Sequence, residues 1–468
     1  MNDAHYKTFQ KQSDAMTTSV KHFHILGICG TFMGSLALIL RSLGHRVTGC
    51  DANVYPPMST QLQDAGVQII QGFDADQVDI APDVFVVGNA MSRGKPIVEA
   101  ILNQGLSYTS GPQCLAEYVL PHKWVLAVAG THGKTTTATM LTKILDDAGY
   151  NPGYLIGGVP LGFEFSGRAT DSAFFVIEAD EYDSAFFDKR SKFVHYHPKT
   201  LIVNNLEFDH ADIFDDLRAI QNQFHHVIRL VPEIGAVITP VDDPAIDEVL
   251  ARGLWSSRLT IGAKGNFDAR LEEPSGSRFE VSHHGSPVGM IDWSLTGLHN
   301  VHNALAAIAA AYHAGVAPKH ACDSLSCFDG VKRRMEVIYD EGGVVVYDDF
   351  AHHPTAIETT LQGVRRKVGG EKIVAVLEPR SNTMVAGFHN DRLAASVVDA
   401  DVALWLDPEH KIGLSSSLGA DAQVFGDLNS LFDAVCHEID ERVHIVIMSN
   451  GGFGGLHQRV VSFLREQS

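Results

Sequence analysis

A lysine set behind two glycines and ahead of three threonines, directly after an apolar run, is a pattern suited to phosphate chemistry. Here it reads Gly130-Thr131-His132-Gly133-Lys134-Thr135-Thr136-Thr137, following Trp124 to Ala129. Glycines let the backbone turn so that its N–H groups face phosphate oxygens, and the N-terminus of the helix that follows adds partial positive charge. The Lys134 ammonium would hold the β- and γ-phosphates, and the Thr135 hydroxyl would ligate Mg²⁺. The strict P-loop spacing asks for glycine at position 128, where Val128 stands, so this is a shortened variant. A solvent-facing lysine has no need of such a turn, so ATP with Mg²⁺ is the expected ligand.

Two more apolar runs end in groups that such a site needs. Phe174 to Ile177 runs into Glu178-Ala179-Asp180-Glu181, and Leu201 to Val203 into Asn204-Asn205-Leu206-Glu207-Phe208-Asp209-His210-Ala211-Asp212. Strand ends on one side of a parallel sheet converge on a crevice. Glu178 there can bind Mg²⁺ through oxygen, and His210 can join a second metal position or orient phosphate. Single acids more often sit in solvated loops, but Lys-Thr, Glu and His at three strand ends of one domain are harder to dismiss in that way.

A second glycine turn, Gly27-Ile28-Cys29-Gly30-Thr31-Phe32-Met33-Gly34, is a weaker signal. Cys29 and Phe32 replace two glycines of the dinucleotide fingerprint, and a ligand-free strand-to-helix turn explains it about as well. Asp51 resembles a ribose-binding acid, yet an acid there is also a good turn residue. An NAD enzyme stays open as a minor alternative.

The elements that must position these residues can be read from hydrophobic periodicity. His24 to Ile28, Arg46 to Cys50 and Val84 to Gly88 are expected strands, with helices at Ser35 to Leu43 and Thr60 to Ala65 between them, which is βαβ order and a parallel sheet. After Pro121 a new unit opens with strand Lys123 to Ala129 and helix Thr135 to Ala148. It continues with strands near Phe174, Thr200 and Ala236 and a buried, alanine-rich helix from Asn300 to Ala314. Gly330 marks a hinge. A third unit carries strands Val344 to Tyr347, Lys372 to Leu377, Val402 to Trp405 and His444 to Met448. Residues 262–287 show no periodicity that assigns them.

The expected fold is therefore α/β in three domains. A Rossmann-like unit spans 21–122, a P-loop ATP-binding unit with a mainly parallel sheet spans 123–330, and a second Rossmann-like unit spans 331–468; the family resemblance drawn below implies UDP-sugar binding by the first and peptide binding by the third. A flexible extension, 1–20, precedes them. A length of 468 residues fits about three domains.

Composition excludes several classes. With 45% hydrophobic and 20% charged residues the chain is neither disordered nor fibrous. A formal charge of −20 repels nucleic acid and anionic membrane surfaces, so an anionic ligand must be held by local donors. Cys29, Cys50, Cys114, Cys322, Cys327 and Cys436 are scattered without C-x-x-C spacing, no signal peptide or membrane-length run is present, and a cytoplasmic enzyme is expected.

Taken together, the motifs resemble the Mur ligase family. Besides the Gly-Thr-His-Gly-Lys-Thr-Thr loop and the Glu-Ala-Asp-Glu run, an adenine segment stands at Gly297-Leu298-His299-Asn300-Val301-His302-Asn303-Ala304 and a linker motif at Lys332-Arg333-Arg334-Met335. A ribose and substrate loop stands at Tyr347-Asp348-Asp349-Phe350-Ala351-His352-His353-Pro354-Thr355. The Gly27 turn, the stretch from Glu378 to Met384 and the stretch from Ser449 to His457 are most like the branch that joins murein tripeptide to UDP-N-acetylmuramate. Several family members carry a carbamylated lysine after the Asp-His motif; the chain has none between His210 and Arg229, so no carbamate is expected.

The resemblance implies an amide-bond ligase acting through an acyl phosphate. Lys134, Glu178, His210 and Arg333, or its neighbour Arg334, would serve catalysis, with metal on Thr135, Glu178 and His210. Gly130, Thr131, His132, Gly133, Lys134, Thr135, Thr136, His299, Asn303, Arg333 and Asp348 would hold ATP. Gly27, Cys29, Gly30, Thr31, Phe32, Met33, Asp51, Asn89 and Ser92 would take UDP-N-acetylmuramate, and His352, Arg380, Asn382 and Asn450 the tripeptide side. Arg380 suits a diaminopimelate carboxylate, although an interdomain ion pair would explain it nearly as well. A monomer or weak homodimer is expected. An alanine-adding ligase and a P-loop regulatory protein are the competing readings.

Overall fold

The computed structural model describes residues 19–467 except 55–57, 159–161, 164, 409–411 and 419–421, so the expected N-terminal extension lies almost wholly outside the described residues. Strands β1 (His22–Leu26), β2 (Arg46–Asp51), β3 (Gln68–Gln71), β4 (Val84–Val87) and β5 (Tyr108–Ser110) form a sheet in the order β3-β2-β1-β4-β5. Every pairing in it is parallel. The first glycine turn links β1 to helix α1 (Thr31–Ser42).

The central unit is built on a ten-stranded sheet of order β17-β16-β15-β14-β13-β12-β6-β9-β7-β8, with β7 at Gly153–Leu155 and β8 at Gly167–Arg168, while β10 (Asp183–Ala185) and β11 (Asp188–Ser191) form a separate hairpin. Its middle strands β6 (Trp124–Ala129), β9 (Phe174–Glu178), β12 (Thr200–Val203) and β13 (Ala236–Pro240) are parallel and buried on both faces, which is why they read as unbroken apolar runs. Helix α2 (Lys134–Asp147) packs against α3 (Leu298–His313), whose Ala304, Ala306, Ala307 and Ala309 to Ala311 are fully buried. Small side chains let the two backbones approach closely.

The stretch that resisted assignment is an antiparallel meander. After β14 (Ser257–Ile261), which lies parallel to its neighbours, strands β15 (Phe267–Leu271), β16 (Arg278–His283) and β17 (Ser286–Asp292) pair antiparallel in turn. Only one face is apolar: Phe267, Phe279, Val281 and Ile291 are buried among residues that are mostly polar or exposed.

The third unit is a six-stranded sheet of order β18-β19-β23-β20-β21-β22. Strands β19 (Val344–Asp349), β20 (Lys372–Leu377), β21 (Val402–Leu406), β22 (Gln423–Phe425) and β23 (Val443–Met448) are parallel, and β18 (Glu336–Glu341) is an antiparallel edge. Helix α4 (Pro354–Val368) follows the β19 loop. The expected elements recur within a few residues of their predicted limits.

Candidate active site

The C-terminal ends of β6, β9 and β12 meet at one cleft of about 1570 Å³, lined by residues of all three domains. That volume exceeds the usual range of about 300–1,000 Å³ for a single small-molecule pocket and leaves room for more than one ligand.

The P-loop is shaped by close packing. Gly133 has φ +78°, and a Cβ there would lie 2.5 Å from Asn303 Oδ1, so glycine is required. Lys134 then opens α2, and its ammonium donates to Gly130 O at 2.7 Å and to Glu181 Oε2 at 2.9 Å. The Thr135 hydroxyl donates to Glu178 Oε1 at 3.0 Å, while Glu178 Oε2 accepts from Gly157 N at 2.7 Å. His210, in the left-handed region at φ +56°, places Nε2 3.0 Å from Glu181 Oε1. Lys134, Thr135, Glu178 and His210 are thus brought together.

The electrostatics match a site awaiting charge. Burial opposes ionisation of Asp180, but Lys192 and Lys134 outweigh it and hold the carboxyl well below its usual range. Burial likewise disfavours charge on Lys134, yet Glu181 and Asp180 raise its pKa. His210 is raised too, its hydrogen bond and attraction to Glu181 overcoming burial. Asp180, Glu181 and His210 offer donor atoms within 4.8 Å of one another beside the Thr135–Glu178 pair. This oxygen-rich donor set fits Mg²⁺.

A brace that sequence reasoning missed joins this site to the third domain. On the P-loop side, Asn205 Oδ1 accepts from His132 N at 2.8 Å, and Thr131 Oγ1 accepts from Glu207 N at 2.9 Å. On the other side, the Thr383 hydroxyl donates to Asp209 Oδ1 at 2.8 Å and accepts from Ala211 N at 3.2 Å, and the Thr355 hydroxyl donates to Glu207 Oε2 at 2.8 Å. Glu181, Asp180 and Thr383 stood inside motifs already quoted; Lys192 and Asn205 carried no stronger signal than their place near a strand end.

In the linker the two arginines divide. Arg333, at φ +58°, donates to Ser449 O at 2.8 Å and Gly451 O at 2.6 Å, and pairs with Asp348 at 3.3 Å. It is fastened to the third domain. Arg334 lies 4.8 Å over the Phe350 ring, lines the cleft and has no ion pair among the described residues; burial lowers its pKa. Asp348 sits between Arg333 and His457, whose Nε2 is 3.1 Å away, and does not line the cleft, whereas Asp349 does. Arg333 lines the cleft as well, so both linker arginines face the phosphate region and only Arg334 is free of an ion pair there; of the two aspartates it is Asp349 that faces the cleft, since successive strand residues alternate.

Of the remaining ATP residues, Thr131, His132, Thr136, His299 and Asn303 line the cleft, and burial pulls His299 down to about 4. His352, Arg380, Asn382 and Asn450 line it from the third domain. Arg380 lies so close over Gly451 that a Cβ there would meet its Nη1 at 2.1 Å.

The first domain contributes less than expected. Thr31 and Phe32 line the cleft; Gly27, Cys29, Gly30, Met33, Asp51, Asn89 and Ser92 do not. Asp51 accepts from Cys29 N at 3.0 Å and so organises the turn itself. Met33 is buried under Gly88 and Gly111, and Asn89 and Ser92 are exposed beyond β4.

Comparison with known proteins establishes the family. Residues 22–122 match the Mur ligase family catalytic domain, 128–311 the Mur ligase middle domain and 333–451 the Mur ligase glutamate ligase domain. The chain belongs to the Mur ligase family. Two of its relatives in this family are the UDP-N-acetylmuramate--L-alanyl-gamma-D-glutamyl-meso-2,6-diaminoheptandioate ligases of Escherichia coli and Haemophilus influenzae. The first is 54% identical, covering 95% of this chain and 98% of the relative, and the second 51%, covering 95% and 100%. Among solved Mur ligases, a murein peptide ligase from Psychrobacter arcticus superposes with a TM-score of 0.75 at 49% identity, covering 94% of this chain and 98% of the other. The UDP-N-acetylmuramate-alanine ligase of Thermotoga maritima shares the fold, at TM-score 0.78 and 22% identity over 96% and 100%. Mur ligases are ATP-dependent enzymes that form amide bonds, so this chain is a ligase. No helix among its described residues is long and apolar enough to cross a membrane.

Proposed function

We propose that this ligase joins L-alanyl-γ-D-glutamyl-meso-diaminopimelate to UDP-N-acetylmuramate, converting ATP to ADP and phosphate, as a cytoplasmic step of peptidoglycan recycling. The observation that carries the reading is the gathering of Lys134, Thr135 and Glu178 in a cleft shared by three domains. Kinship with ligases named for this reaction supports the choice of substrates.

In this reading a carboxylate oxygen of the sugar acid forms a bond to the γ-phosphorus as the bond to ADP breaks. The amine of L-alanine then attacks the acyl carbon, phosphate leaves with the bonding pair, and the nitrogen loses a proton. Such transfers need alignment and charge neutralisation more than a protein nucleophile. Lys134 and Arg334 supply fixed positive charge, and the loop amides orient the phosphates. Thr135 and Glu178, with Asp180, Glu181 and His210 nearby, would hold Mg²⁺, which neutralises phosphate charge. The third domain, braced through Thr383 and Thr355, closes the cleft and keeps water from an acyl phosphate.

Mass measurement of the product formed from ATP, Mg²⁺, UDP-N-acetylmuramate and tripeptide tests the proposal: a mass equal to the sum of both substrates less water is expected. Faster phosphate release with L-alanine than with tripeptide would reassign the chain to the alanine-adding reaction. Bound ATP with no phosphate release would leave a regulatory protein.

A further inference from the structure

Two donors in the cleft, between the P-loop and the first domain, have no part in the chemistry above. Lys192 opens the short 3-10 turn Lys192–His195, and Tyr196 follows it directly. Both line the cleft. The Lys192 ammonium lies 2.8 Å from Asp180 Oδ2, 5.7 Å from the centre of the Tyr182 ring and 5.9 Å from that of Phe32. Phe32 belongs to the first glycine turn, so Lys192 is a cleft cation that reaches the first domain. Tyr196 is 1% exposed, and its hydroxyl is buried with no hydrogen-bond partner.

A buried O–H without an acceptor is rare in a folded protein and points to a ligand that supplies one. Burial, together with the Asp180 and Glu178 carboxylates, pushes the Tyr196 phenol well above its usual range, so it keeps its proton and can only donate to an anion. A cation and a hydroxyl donor that line the same cleft and share Asp180 as a neighbour select a group with at least two acceptor oxygens and a negative charge. The Lys192 ammonium spends one N–H on Asp180 and keeps others for a ligand in the cleft, which suits one further carboxylate.

We propose that Lys192 and Tyr196 form the seat of the sugar acid's carboxylate, with the ammonium holding its charge and the phenol donating to one of its oxygens. This rests on the ligase reading above and adds to it where the attacking group is held. Tyr196→Phe is the informative change, because the hydroxyl it removes has no partner in the free protein. A merely structural role predicts a loss of stability with no selective change in affinity for the sugar acid.

Titration calorimetry on the full chain, with UDP-N-acetylmuramate and with UDP-N-acetylglucosamine, which lacks the lactyl carboxylate, separates the outcomes. Tyr196→Phe should weaken UDP-N-acetylmuramate by about tenfold or more while leaving Tm, ATP and UDP-N-acetylglucosamine binding within about twofold or a degree of wild type. Lys192→Met should weaken it at least as much, and Lys192→Arg should restore part of the loss. UDP-N-acetylmuramate affinity within about twofold of wild type in either Tyr196→Phe or Lys192→Met, or equal weakening of both sugar nucleotides, overturns the seat. A wild-type protein that binds UDP-N-acetylmuramate but forms no tripeptide conjugate would instead remove the ligase reading beneath it.

Discussion

Thr383 is where the third domain touches the loop that carries His210, and its replacement tests whether that contact governs catalysis. The side chain is 1% exposed, donates to the Asp209 carboxylate at 2.8 Å and accepts from Ala211 N at 3.2 Å. Thr383→Val keeps shape and volume but removes both bonds. A hydrogen bond to a charged group contributes about 1.5–3 kcal/mol, and a buried acceptor left short of a donor costs a similar amount. The contact joins two domains, so the loss falls on closure and on the placement of His210 rather than on the folding of either domain. About a tenfold to hundredfold fall in kcat/KM for the tripeptide is expected, since about 1.4 kcal/mol is a factor of ten. Phosphate release would be followed with each substrate varied in turn, and Thr383→Ser, which keeps the hydroxyl, should recover most of the rate. If Thr383→Val ran within about twofold of wild type for every substrate, the claim that this brace couples the domains would be wrong.

Lys134→Ala is expected to abolish turnover, and substantial residual ligation in the product assay would dismiss the role of its ammonium. Arg334→Ala should lower kcat far more than Arg333→Ala raises the KM for ATP; steady-state kinetics showing the reverse order would return the phosphate-facing role to Arg333. Arg380→Ala should raise the KM for tripeptide and leave that for ATP nearly fixed, and an unmoved tripeptide KM would free Arg380 from that assignment. His299 makes a pH prediction: its folded value near 4 lies below the usual 6.5, so the unfolded chain binds the extra proton and stability falls as pH drops through 6.5 toward 4. Between pH 7 and pH 5 that one group contributes a loss of roughly 2 kcal/mol, so His299→Gln should lose less stability over the same interval in denaturant titrations, and an identical loss would contradict its half-buried, neutral state.

Much of the architecture was legible because it is written in contiguous segments. The buried strands of the central sheet are apolar on both faces, and the P-loop is one unbroken run of residues, so period and composition suffice to find them. The meander from β15 to β17 was not legible, since its short strands bury one face only and are separated by turns whose residues resemble loop. Of the first glycine turn only Thr31 and Phe32 line this cleft, and its acid, Asp51, accepts from Cys29 N.

The remaining misses share a physical cause, which is that facing is a matter of parity and parity is set by distant pairings. Asp348 and Asp349 point opposite ways because successive strand residues do. Which of them reaches the cleft depends on the register of β19 against β23, about a hundred residues on. Arg333 and Arg334 both line the cleft, but only Arg333 is fastened to the third domain, in a linker with left-handed backbone at Arg333 and Met335, at φ +58° and +53°, which no local propensity foretells. Thr383 and Asp209 lie 174 positions apart, and Tyr196 gives itself away only as a hydroxyl with nothing to bond. A motif can therefore name the pair that carries a function, while the choice within the pair, and the contacts that make three domains act on one cleft, are decided by tertiary packing. That division makes single substitutions at neighbouring positions, 333 against 334 and 348 against 349, the sharpest probes of this site: chemistry is equal within each pair, so any difference in activity reports geometry alone.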